Sequence, residues 1–129
     1  SAREPRAWNY IAASDAAAEC FAASDARLVF AGHVHHQVLY YSVSRGASRA
    51  FRPTPGEPIL LAAPRRWLAL AGSVGQQRDG SVAAAYALFD HASTTLTFHR
   101  VPYDHAAALA KQRAAGLDAR WDALSGVGF

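Results

Sequence analysis

RLVFAGHVHHQVLYYS, Arg27 to Ser42, sets His33, His35 and His36 between two stretches that read as buried β-structure. RLVFA is a short branched and aromatic run, and QVLYYSVS alternates with β-branched and aromatic side chains, so each predicts a strand. Residues two apart on a strand share a face, so His33 and His35 project together while Val34 points the other way. At a strand end, with Gly32 permitting an unusual backbone angle, the pair can turn toward one metal or two adjacent ones. Imidazole is the commonest metal ligand, and H-x-H on a strand offers two nitrogens at once. The competing reading is a pair of surface histidines closing a strand. His36, on the alternate face, reads as a neighbour and not a ligand.

Two histidines do not complete a catalytic centre. Catalytic zinc takes three protein ligands, and nothing close to His33 and His35 supplies a carboxylate. The rest must come from distant positions or from outside the chain. Asp79, His91 and His99 are available, but His91 falls in a turn, and a solvated or core role outweighs ligation for all three. A cupin would carry a glutamate shortly after the second histidine, where this chain has Gln37-Val38-Leu39-Tyr40-Tyr41. An amidohydrolase would need a barrel of about 250 residues.

The chain has 129 residues, 51% hydrophobic and 18% charged, which predicts one packed domain over 1–129 and no disorder. Its net charge of +3 comes from 13 basic against 10 acidic residues. The basic residues fall in pairs such as Arg65-Arg66 and not in runs, so no nucleic-acid partner is expected. No stretch reaches the ~18 apolar residues of a membrane span, and SAREPRAWNY lacks a signal peptide's apolar core, so no membrane association and a cytoplasmic location are expected. Cys20, the single cysteine, cannot form an internal disulfide and reads as a buried small hydrophobe. Methionine is absent even at position 1, which suggests that the gene begins upstream.

Outward from the histidines, SDAAAECFAASDAR predicts an Ala-rich helix capped by Ser14 or Asp15. Arg45-Gly46-Ala47-Ser48 predicts a turn. Pro53, Pro55 and Pro58 make AFRPTPGEPILLA a loop or edge segment before the apolar run from Ile59 to Ala63. RRWLALAGSV predicts a strand ending at Gly72-Ser73, and Asp79-Gly80 a turn. VAAAYALFD and TTLTFHRVPY predict an antiparallel hairpin, with Trp67, Tyr86 and Phe98 read as core. Asp104 caps a helix through HAAALAKQRAA that stops at Gly116, and LDARWDALSG predicts a last short helix. The sum is a mixed α/β (α+β) layered fold with mainly antiparallel strands and C-terminal helices.

LVFAGHVHH resembles the C-terminal G-H-x-H signature of calcineurin-like metallophosphoesterases. GSVGQQRDGSVAAAYALFD is similar to the G-S-V-G-x-P-R-x-G segment and following strand of bacterial members related to diadenosine tetraphosphatases. TFHRVPYD and the Ala-rich helix after it resemble the group's ending, and SAREPRAWNYI the stretch after its H-[GA]-[ST]-P element. The resemblance covers only the family's second half. The motifs D-x-H, G-D-x-x-D and G-N-H-[DE], which carry most metal ligands and the catalytic histidine, are absent from the chain. Ala2 stands where the element's proline would fall, Leu70-Ala71 where Asn-Pro is common, and Gln77 in place of a proline, which predicts a less rigid loop.

The resemblance implies the C-terminal half of a four-layer αββα sandwich. It implies that His33 ligates one divalent ion and His35 the other, in a two-metal site incomplete in this chain, with Mn, Fe, Ni or Zn all admissible. It implies hydrolysis of phosphomonoesters, phosphodiesters or dinucleoside polyphosphates by the intact protein. The catalytic residues would lie outside this chain, which alone would be inactive or nearly so. The other half, or a second copy, would be the partner. Arg78 either reaches a substrate phosphate or forms a salt bridge with Asp79 or a neighbour. The alternative function is a non-catalytic scaffold or interaction module of the same fold, as in retromer's phosphoesterase-like subunit; a simple metal-binding domain is a third.

Overall fold

WLALA, residues 67–71, carries an apolar side chain at every position, and the fold buries it on both faces. The computed structural model describes residues 4–44 and 46–117. After a short 3-10 turn at Pro5–Ala7, the chain forms α1 (Ser14–Ala22), β1 (Leu28–Ala31), β2 (Gln37–Ser44), β3 (Ala47–Phe51), β4 (Pro58–Leu60), β5 (Trp67–Ala71), β6 (Ala84–Asp90), β7 (Thr95–Val101) and α2 (His105–Ala114). One sheet has the order β1-β5-β2-β3 and the other β4-β7-β6. β5 is interior, parallel to β1 and antiparallel to β2, and every other pairing is antiparallel. A strand covered on both faces needs no polar alternation, which accounts for its composition.

The pleat sorts β5 between two cores. Leu68 and Leu70 face α1 and join Ile11, Ala17, Cys20, Phe21, Val34 and Tyr40. Trp67 and Ala69 face the second sheet and meet Leu39, Leu61, Leu96 and Phe98. β2 alternates likewise, with Tyr40 toward the helix and Leu39 toward the sheet. Each fully buried leucine contributes roughly 1.5–3 kcal/mol. The resulting order of layers is helix, sheet, sheet, while α2 buries no residue. Among the described residues, no helix is long and apolar enough to cross a membrane.

Several expectations change in detail. α1 stops at Ala22, short of Arg27, and its N-cap residue is Ala13, with no side-chain cap. Asp15 Oδ1 accepts instead from the Ala16 N–H at 2.8 Å. Arg66 covers the helix end: its guanidinium donates to the carbonyl of Phe21, one of the groups a helix terminus leaves without an intrahelical partner, and to those of Ser24 and Ala26 in the segment that follows. β3 begins directly after Gly46, so the predicted turn is shorter, and AFRP opens as the end of an edge strand. Asp104 caps α2 as expected, its Oδ1 accepting from the Ala107 N–H at 2.9 Å. The last predicted helix, beyond Leu117, lies outside the described residues.

Candidate functional site

The histidines stand on a loop, not on a strand. β1 ends at Ala31 and β2 begins at Gln37, so the same-face argument for His33 and His35 does not apply. The unusual backbone angle also belongs to His33, at φ 71°, and not to Gly32. The Val34 N–H donates to the Gly32 carbonyl at 2.9 Å, which closes a γ-turn on His33. Its positive-φ form is the rarer, strained one for a residue with a side chain. Val34 anchors this turn by burying its side chain in the α1-side core.

Each imidazole is held by a main-chain carbonyl. His33 Nε2 donates to Trp8 O at 2.9 Å, and the ring stacks on Tyr10 with centroids 4.3 Å apart. His35 Nδ1 donates to Gln76 O at 2.6 Å. A carbonyl oxygen can only accept, so in the neutral rings the lone pair is left on Nδ1 of His33 and Nε2 of His35. An imidazole fixed through one nitrogen by a carbonyl, with the other bare, has the tautomer and orientation a metal ligand requires. The two rings line different spaces: His33 borders a cleft with Trp8, Cys20 and Phe30, while His35 borders a second cavity with Tyr10, His36, Tyr40, Arg52 and Arg78. Tyr10, stacked on His33 and lining the second cavity, stands between them.

The loop of residues 72–80 is tied to the sheets at several points. Gly72 opens it at φ 90°, where a Cβ would stand 2.7 Å from Ala85 Cβ and 2.9 Å from Gln37 Cγ. Ser73 O accepts from the Ala85 N–H at 2.8 Å, and Gln77, 2% exposed, donates from Nε2 to that same oxygen at 3.1 Å. Gln77 therefore supplies an anchor where a slacker loop was expected. Asp79 pairs with Arg100 through both carboxylate oxygens and not with Arg78. Arg100 Nε donates to Gln37 Oε1 at 2.8 Å, and Gln37 Nε2 donates to the carbonyls of Tyr86 at 3.0 Å and His99 at 3.1 Å. This chain of bonds runs from β6 and β7 through β2 to the loop that holds Gln76 O against His35.

Electrostatics follow this geometry. Burial pushes the Asp79 carboxyl up, but bonds from Arg100 and the Ser81 N–H, with the charges of Arg100 and His36, outweigh it and hold Asp79 below the usual carboxylate range. Burial lowers His36; Asp79 opposes this, while Arg52, His35 and Arg100 add to it. Arg78 donates from Nη2 to Gln76 Oε1 at 3.1 Å, and its buried Nε has no hydrogen-bond partner. The structure thus brings His35, His36 and Arg78 to one cavity.

Asp79 is committed to Arg100, His99 stacks on Tyr86 at 4.8 Å, and His91 is exposed beside Phe89. No group of three or more His, Cys, Asp or Glu that could hold a metal ion occurs among the described residues. Each of the two histidines keeps one nitrogen that can donate to a divalent ion, but the fold sets the two rings on different spaces. The carboxylates that would complete a divalent-metal site are not grouped with them among the described residues.

The fold has a counterpart among solved structures. A metallophosphoesterase from Sphaerobacter thermophilus superposes with a TM-score of 0.75 at 34% identity, over 88% of this chain and 48% of that one. The fold is metallophosphoesterase-like. The chain spans about half the length of that protein. No protein-family model and no curated protein matches it. Within this metallophosphoesterase-like fold, sequence reasoning missed three contributors: Tyr10 against His33, Gln76 as the carbonyl that orients His35, and Arg52 at the cavity. Tyr10 and Gln76 act through stacking and a main-chain oxygen, which leave no motif. Arg52 stands in the proline-broken stretch read as a loop or edge segment.

Proposed function

We propose that this chain supplies the two-histidine portion of a divalent-metal phosphoesterase acting on phosphomonoesters, phosphodiesters or dinucleoside polyphosphates. The observation that carries the reading is the orientation of His35: its Nδ1–H is held by Gln76 O, leaving Nε2 as the donor atom. His33 offers Nδ1 in the same way. Two divalent ions, when bound, supply Lewis-acid stabilisation of a phosphoryl group and a hydroxide nucleophile. The chain's own residues do the rest of what is assigned here. His33 and His35 donate nitrogen, the tied 72–80 loop keeps His35 aimed, and Arg78 presents guanidinium donors to phosphoryl oxygens, for which its planar fork is suited. The carboxylates and the catalytic acid come from residues other than these. Similarity to a metallophosphoesterase over 88% of the chain supports the assignment.

The test is Mn²⁺-dependent hydrolysis of p-nitrophenyl phosphate and bis(p-nitrophenyl) phosphate by the intact protein. His33→Ala and His35→Ala should each lower turnover by at least about 100-fold, since even residues that merely orient a metal ligand are worth 10- to 100-fold. Unchanged turnover in His35→Ala overturns the assignment.

A further inference from the structure

The cavity beside His35 encloses about 340 Å³ and is walled on one side by Val34, Val38 and Tyr40, with Arg52 and Arg78 also lining it. No carboxylate lines it. The neighbouring Asp79 does not compensate these guanidiniums, because both its oxygens are taken by Arg100. Arg52 makes no hydrogen bond or ion pair with any described residue, and Arg78 bonds only the neutral Gln76 amide while its buried Nε lacks an acceptor. A buried donor without an acceptor costs about 1–3 kcal/mol unless a ligand supplies one. Two permanently charged forks thus border one space with no counter-charge, on a loop and a strand end that the fold holds independently.

We propose that this cavity binds a second, non-reacting phosphoryl group, so that the substrate is an organic diphosphate. Arg78 and Arg52 each take one phosphoryl group, and the apolar wall takes the organic remainder. One guanidinium satisfies the oxygens of one phosphoryl group bidentately, which leaves the other without a counter-anion in a monophosphate complex. This rests on the phosphoesterase reading and narrows its substrate class, with Arg52 as the residue that selects.

The probes are pyrophosphate and orthophosphate, titrated calorimetrically into the full chain freed of metal. Pyrophosphate should bind at least about tenfold more tightly, each charge-assisted pair strengthening the complex. Arg52→Ala, at an exposed position where folding is not at stake, should abolish that preference, while Arg49→Ala, an equal loss of charge on exposed β3 outside the cavity, should keep it. Equal affinity for the two anions, no binding of either, or equal losses in Arg49→Ala and Arg52→Ala overturns the proposal. No metal is present, so failure of the histidines to ligate would show only in the Mn²⁺ assay above and leaves this result untouched.

Discussion

Gly72 and Asp79 show how single positions govern the site. A methyl group on Gly72 would sit 2.7 Å from Ala85 Cβ at a φ of 90°, so Gly72→Ala has neither room nor an allowed backbone. It should cost about 2–4 kcal/mol in urea unfolding, and a loss below about 0.5 kcal/mol would show that the close approach is not real. Asp79 tests the electrostatics. Its folded pKa is depressed, so the stability it adds is fully present above the unfolded carboxylate value and is lost as pH falls through the folded one. Wild type should exceed Asp79→Asn by roughly 1–3 kcal/mol near neutral pH, with the gap closing below about pH 4. A gap that does not change with pH would mean that the Arg100 pair does not hold the carboxylate. From sequence Asp79 was legible as half of a turn signal, as a remote ligand candidate and as a partner for Arg78, but not as the partner of Arg100, which lies 21 positions away on β7.

At the scale of elements, β1, β2, β5, β6, β7 and α2 follow closely from local pattern, while β3, which takes in part of the predicted turn, and the connections do not. QVLYYSVS became β2 over the same residues, and Asp104 caps α2, because alternation and capping are local. The histidine loop departed from expectation because its geometry is fixed by Val34 in a core and by carbonyls at Trp8 and Gln76, all tertiary facts. Gln37 is the element-level counterpart: its amide joins β2 to the β6–β7 hairpin and to Arg100. Gln37→Leu should lose about 2–4 kcal/mol in thermal or urea unfolding, three bonds with one to a charged group being removed. Hydrogen exchange should quicken at Ala85, whose N–H is bonded to Ser73 O. Unchanged exchange there would separate Gln37 from the anchoring of the loop.

Over the whole molecule, two cores share β2 and β5, so the helix side and the sheet side are mechanically joined through one pair of strands. Phe98, 0% exposed between the sheets, should cost about 3–5 kcal/mol as Phe98→Ala, and a single cooperative transition for both layers is expected in the unfolding curve. The layered α/β class was legible because β5 is apolar throughout and the hairpin strands alternate. Its two sheets follow from the sandwich that the resemblance implies, while the strand order within the four-stranded sheet was not legible, since nothing local says which distant strands pair. Of the candidate site, the histidines and Arg78 stood out in the sequence, while Tyr10, Gln76 and Arg52, which the fold brings beside them, did not. The proposed function requires that His33 and His35 offer donor nitrogens to divalent ions. NMR of the six histidine rings during Mn²⁺ titration tests this directly. Paramagnetic broadening should strike His33 and His35 first and spare His91 and His105, with the His35 signal persisting through Nδ1 in the hydrogen-bonded tautomer before metal is added. Broadening centred on His91 or His105, or none at either His33 or His35, would contradict it.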